Sequence, residues 1–274
     1  MKKHFSTTIK TGARFLIAAC VPGSALAVDF VFVPRIGGGI VNYNINWDAD
    51  ALLADGQREK TKVFDLSDTM PFGMIGGTLA VEDWYLDLQY KGSDIGTDHN
   101  QTRHAFGGTR YKNRFDLNDV NVTIGYRITD NLQAFAGWMN RKTNIQQTGG
   151  TENNDYSFKS DGWFLGGSYG WFVGNGRLSA KAAYVRLEGD VDIKYDFGGS
   201  IYKLSASDSV SDGYSLGVNW MQPITDRLSY SLSLDGYHYN FNNFNMRHQG
   251  ERTGTRQDVE ETAYTFQAAL VYVF

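Results

Sequence analysis

Proline is scarce in this chain, cysteine is nearly missing, and long apolar runs are missing altogether. Of 274 residues, four are proline, one is cysteine and five are histidine. The cysteine, Cys20, lies so close to the amino terminus that the remaining chain can build no disulfide framework and offers no thiol nucleophile. Beyond residue 27 the longest uninterrupted apolar run is Ala268 to Phe274, far short of the roughly 20 residues a membrane helix requires. A helical membrane span is excluded. Positive charge is also in deficit, 26 basic residues against 30 acidic ones, which argues against nucleic acid as a partner. His99, His104, His238 and His248 are scattered along the chain and read as loop residues, so neither a metal nor a cofactor is expected. Gly189-Asp190-Val191-Asp192 is too short a pattern for a calcium loop.

The amino terminus carries Lys2, Lys3, Lys10 and Arg14, and no acidic residue precedes Asp29. A short apolar stretch, Phe15 to Val21, leads to Pro22-Gly23 and then to Ala25-Leu26-Ala27. Small residues at the two positions a signal peptidase favours place cleavage after Ala27. Residues 1–27 are therefore expected to be a cleaved signal peptide and 28–274 a single mature domain. Ile17-Ala18-Ala19-Cys20 loosely resembles a lipoprotein attachment box, but the apolar core between Arg14 and Cys20 is short for that class. Loss of the four basic leader residues leaves 22 basic against 30 acidic, a net charge of −8.

What the mature chain does have is alternation. Apolar-alternating segments fall near 31–47, 70–82, 84–92, 115–129, 132–142, 158–172, 178–188, 212–221, 228–240 and 262–274. Four connections are tight: Glu82-Asp83, Asp130-Asn131, Gly174-Asn175-Gly176 and Pro223 to Arg227. Five are long and polar, near 48–69, 93–114, 143–157, 189–211 and 241–261. Trp84, Leu86, Leu88 and Tyr90 share one strand face, against Tyr85, Asp87, Gln89 and Lys91 on the other. Val120, Val122, Ile124 and Tyr126 oppose Asn121, Thr123, Gly125 and Arg127; Leu228, Tyr230, Leu232 and Leu234 oppose Ser229, Ser231, Ser233 and Asp235. Val41, Tyr43, Ile45 and Trp47 stand against Asn42, Asn44 and Asn46. Each apolar set needs lipid or a protein core. Aromatic residues bracket three such faces, as Trp84 and Tyr90, Trp163 and Trp171, and Tyr214 and Trp220, which suits an aromatic girdle at each membrane interface. Glycines at Gly37 to Gly39, Gly76-Gly77 and Gly166-Gly167 permit the curvature of a narrow barrel. Pro34 and Pro71 lie near strand beginnings and Pro223 in a turn, where a missing N–H is tolerated.

The expected fold is all-β: a transmembrane antiparallel up-and-down barrel of about ten strands, with eight or twelve also compatible. Short periplasmic turns lie at one end and long extracellular loops at the other. The last strand, Tyr264 to Phe274, ends on an aromatic and carries Leu270, Tyr272 and Phe274 on one face. It resembles the carboxy-terminal signal of bacterial outer-membrane β-barrels, and the mature chain as a whole resembles the small OmpA-like and porin-like members of that superfamily. The resemblance implies a Gram-negative outer membrane as the location. It also implies the barrel assembly machinery, outer-membrane lipid and lipopolysaccharide as partners.

Three kinds of function follow as expectations. The first is a structural barrel or narrow passive channel, its lumen lined by Asp87, Lys91, Arg127, Arg141, Lys181 and Asp235. The second is a surface adhesin or receptor that meets an extracellular ligand through its long loops. In the second loop Arg103, Arg110, Lys112 and Arg114 could pair with lipopolysaccharide phosphates. In the fifth, the aromatic-polar run Asn240 to His248 suits either a binding surface or a lid. The third is a rim hydrolase, since ten strands is also the architecture of the omptin outer-membrane proteases. That chemistry would need an Asp pair facing an Asp-x-His pair, and here Asp235 and His238 are spaced i, i+3, which puts them on opposite faces. Asp116 and Asp119 share that spacing. No catalytic residue is assigned.

Overall fold

The computed structural model describes residues 30–52, 58–93, 99–103 and 109–274. The leader, residues 1–27, lies outside them. Eleven strands account for nearly all of the described chain: β1 (Phe30–Leu52), β2 (Arg58–Val81), β3 (Trp84–Ser93), β4 (His99–Arg103), β5 (Thr109–Arg127), β6 (Leu132–Gly149), β7 (Glu152–Val173), β8 (Gly176–Phe197), β9 (Ser200–Pro223), β10 (Leu228–His248) and β11 (Glu251–Tyr272). Each pairs antiparallel with its chain neighbour, β1 pairs with β11, and β3 pairs with β5, which closes the sheet into a ten-stranded barrel. The short β4 resumes the ladder of β3 higher up on β5. In the half nearest the short turns every described strand is paired on both sides, the condition for crossing hydrocarbon. Farther up, the side of β2 away from β1 before Gly73 and the free side of β4 have no partner strand among the described residues.

The strands outrun the apolar segments that announce them. Most of the residues in the long polar connections lie in ladder-paired ribbons, and the chain reverses in two-residue turns at Gly150-Thr151, Gly198-Gly199 and Gln249-Gly250. Gly250 takes a φ of 89°, open to glycine at little cost. At the β1–β11 seam the backbones press close: a Cβ on Gly39 would collide with the carbonyl oxygen of Phe266.

The two halves of the barrel are built on opposite plans. Near the short turns the outward side chains are apolar. Leu86 is 49% exposed, Ile124 50% and Leu232 37%, a cost in water that disappears in lipid. Toward the long connections the same strands turn their apolar residues inward. On β1, Ile36 and Ile40 face out, whereas Val41, Tyr43, Ile45 and Trp47 are buried inside. No register shift intervenes before Trp47, so the alternation is unbroken; what changes is the medium outside. There Asn42, Asn44 and Thr69 link side chains along the outer wall (Asn42 Nδ2 to Thr69 Oγ1 3.0 Å, Asn44 Nδ2 to Asn42 Oδ1 3.0 Å), as a water-facing surface should. Inside, Phe158 meets Phe241 edge-on with centroids 5.0 Å apart, and Trp47 meets Tyr156 at 6.2 Å. A bulge between Phe241 and Phe244 lets both rings of this i, i+3 pair point inward. The aromatics of the fifth connection thus fill the interior.

Candidate functional site: a charged lumen beneath a buried seal

Within the apolar belt the interior is polar and holds a cavity of about 460 Å³. Two ion pairs brace its walls. Arg35 of β1 donates from both terminal nitrogens to Asp87 of β3, at 2.5 and 2.7 Å, and also to Thr78 Oγ1 at 3.1 Å. Both partners point inward because they share the face of Gly37 and Gly39 on one strand and of Tyr85 and Gln89 on the other. Across the lumen Lys181 of β8 lies 2.8 Å from Asp235 of β10. Gly217, on the strand between them, makes the space: a Cβ there would strike Asp235 Oδ1 and Lys181 Cε. Lys91 stands opposite Asp119 in the ladder, its ammonium 5.6 Å from the Phe72 ring centroid.

The upper end of this cavity is closed by one guanidinium. Arg141 of β6 donates to Asp119 Oδ2 at 2.7 Å and to Glu261 Oε1 at 2.8 Å, tying β5, β6 and β11 together. Side-chain exposure is 4% for Arg141, 6% for Asp119 and 0% for Glu261. The Tyr237 ring lies 4.0 Å from the guanidinium carbon, and Tyr43 and Thr143 are fully buried in the same layer. Buried charges persist only when paired and hydrogen-bonded. Above this layer comes the aromatic core, so two successive obstructions cross the barrel.

Of the expected lumen residues, Asp87, Lys91, Arg141, Lys181 and Asp235 line the cavity. Arg127 does not join them. It sits at the end of β5, where its side chain pairs with Asp83 at 3.0 Å and donates to the Glu82 carbonyl at 2.9 Å, bracing a tight turn. Trp84, Tyr90, Trp163, Trp171 and Tyr214 stand on the outer wall, while Trp220 is half-buried over Gly176. Phe274 stacks on Phe32 at 6.2 Å and meets Tyr272 edge-on at 4.8 Å, with Leu270 facing out beside them. Lys112 and Arg114 lie on β5 in the water-facing half; the side chains of Arg103 and Arg110 lie outside the described residues. Asp235 and His238 occupy opposite faces: the carboxylate pairs with Lys181 inside, and the imidazole contacts Thr262 Oγ1 at 3.0 Å outside. Asp116 and Asp119 are likewise divided, Asp116 being bonded to Asn118 and Asn144. Among the described residues no cluster of His, Cys, Asp and Glu could hold a metal.

Sequence reasoning missed Arg35, Asp119, Glu261 and Gly217. Arg35 carried a signal, since it shares the inward parity of Gly37 and Gly39. Glu261 lay beside Glu260 and Asp258 in a stretch that reads as solvated loop charge.

The chain has the fold of the bacterial outer-membrane β-barrels. The outer membrane protease OmpT from Escherichia coli superposes with a TM-score of 0.69 at 12% identity, covering 92% of this chain and 99% of that one. The translocator domain of the autotransporter NalP from Neisseria meningitidis gives 0.42 at 11% identity, covering 86% and 88%. The outer membrane protein OprG from Pseudomonas aeruginosa gives 0.39 at 9% identity, covering 89% and 95%. No family model and no curated protein matches the sequence.

Proposed function

We propose that this protein is a structural outer-membrane barrel, closed to solute flow, that carries a rigid β-platform above the membrane. One observation bears most of the weight: Glu261 and Tyr43 of the Arg141 layer, and Phe241 and Phe244 of the aromatic core, have no solvent exposure. A barrel of about ten strands encloses little free volume once its side chains are placed. Here that volume is further divided by the Arg141 layer and the aromatic core. Of a structural barrel and a narrow channel, the geometry favours the first.

The protein acts without covalent chemistry in this reading. Its one Asp/His candidate pair is split between lumen and outer wall, and the lumen carboxylates are engaged by Arg35, Lys181 and Arg141. Export through residues 1–27 to a Gram-negative outer membrane and assembly through the Phe274 strand complete the proposal. Planar-bilayer recording tests it. The reconstituted protein should be electrically silent, and steady single-channel steps from the unmodified chain would overturn the closed-barrel reading.

A further inference from the structure

A depression of about 790 Å³ lies on the outer face of the platform, across β5 to β10. Two ladder rows form its floor. One runs Arg114, Gln146, Asp155, Lys194, Lys203; the other runs Asp116, Asn144, Ser157, Asp192, Ser205, Arg247. Their opposite faces carry Phe115, Ile145, Tyr156 and Ile193 of the buried core, so the rows look outward.

Two features of this floor point to a ligand. Lys194 and Lys203 are direct cross-strand partners, an arrangement that costs stability because like charges face each other. Lys194 finds Asp155 at 3.3 Å, but the charged ends of Lys203 and Arg247 have no ion-pair or hydrogen-bond partner among the described residues. The second feature is the interleaving of these cations with Asp116, Asp155, Asp192, Asn144 and Gln146. An acidic peptide would set its own carboxylates against these three aspartates with few side-chain donors to offset them. A hydroxylated anion brings such donors, since carboxylates and amide oxygens accept from its hydroxyls while the cations hold its charge.

Height decides between membrane and medium. The floor lies six to ten residues beyond the outward rings of Trp138 and Tyr184. At about 3.3 Å per residue and a tilt of about 40°, that is roughly 15–25 Å above the lipid boundary. Headgroup phosphates are out of reach.

We infer that this groove is a binding site for an anionic saccharide, sulfated or carboxylated, presented from outside the cell. Recognition joins Lys203, Arg247 and Lys194 to the anionic groups, with Asp192, Asn144 and Asp155 receiving hydroxyls. The site does not depend on whether the lumen conducts.

The test uses the full barrel in phosphatidylcholine nanodiscs free of any glycolipid, with a heparin-derived hexasaccharide as probe. The hexasaccharide should bind, more weakly as salt rises, while uncharged dextran oligomers and polyglutamate should not. Lys203→Gln/Arg247→Gln should weaken binding about tenfold or more, as expected for lost charge-assisted hydrogen bonds. Arg127→Gln, at the other end of the barrel, should leave it unchanged. Should the double variant fail to fold, each single substitution carries the same expectation in smaller measure. Absence of hexasaccharide binding overturns the inference. So does equal binding of dextran or polyglutamate, or full affinity in folded Lys203 and Arg247 variants.

Discussion

Replacing Arg141 with alanine would strip two buried carboxylates of one shared cation. Asp119 and Glu261 are 6% and 0% exposed, and the guanidinium lies 2.7 and 2.8 Å from them. Removing one partner of a buried ion pair costs about 3–5 kcal/mol, because the remaining charge has neither water nor a counter-ion. Here one deletion leaves Glu261 without its cation and Asp119 with only Lys91 opposite it, and the loss of the Tyr237 contact adds about 1 kcal/mol, so a cost within that range is expected. With a urea slope of about 1–3 kcal/mol/M, the unfolding midpoint should fall by on the order of 2 M. Urea titration in detergent micelles, followed by tryptophan fluorescence and by heat-modifiable migration, reads this directly. The triple variant Arg141→Met/Asp119→Asn/Glu261→Gln removes all the charge at once and should recover most of the loss. A single variant within about 1 kcal/mol of the parent would refute the reasoning, as would a triple variant no more stable than the single. Arg141→Ala should still fail to conduct, because the aromatic core above it remains.

Gly217→Leu should destabilise the barrel by about 1–3 kcal/mol, since its side chain would collide with Asp235 and Lys181; equilibrium unfolding measures it. Leu86→Arg should cost about 2–4 kcal/mol in a bilayer, whereas Asn44→Arg, on the same wall but in water, should stay within about 0.5 kcal/mol. Equal costs would remove the distinction between the two halves. Incubation of the folded protein with fluorogenic peptides spanning basic, acidic and apolar cleavage sites should yield no turnover, and Asp235→Asn should not alter that baseline.

The membrane half was legible because lipid imposes a strict period-2 pattern on one face. Trp84, Leu86, Leu88 and Tyr90 alternate with Tyr85, Asp87, Gln89 and Lys91 and carry an aromatic at each end, which favours lipid over a protein core. The tight turns at Glu82-Asp83 and Asp130-Asn131 mark the pairing. The upper half was harder for a physical reason. Alternation tells which residues share a face but not what lies beyond it, so Val41, Tyr43, Ile45 and Trp47 suit lipid and protein core equally well. The ribbons of β8 and β9 beyond the lipid carry serine, aspartate and lysine on a wet outer wall, which in composition looks like loop. Short-range turn signals were nonetheless present at Gly198-Gly199 and Gln249-Gly250. The seal was the least visible part. Arg141, Asp119 and Glu261 come from three strands, and only closure of the sheet brings them within hydrogen-bonding distance. Arg127 shows the converse: its parity is that of the lumen, yet its place at the strand end lets it reach the turn.

The central claim is that apolar side chains face lipid in one half of the barrel and face each other in the other half. The six tryptophans sample both environments, and Trp47, at 1% exposure, sits in the inner core while Trp84, Trp138 and Trp163 face outward. Single-tryptophan variants in bilayers of brominated lipid measure the difference without adding a probe. The account predicts strong quenching of Trp84, Trp138 and Trp163 by bromolipid and none of Trp47, which aqueous iodide should also fail to reach. Quenching of Trp47 by bromolipid to the same extent as Trp163 would contradict it.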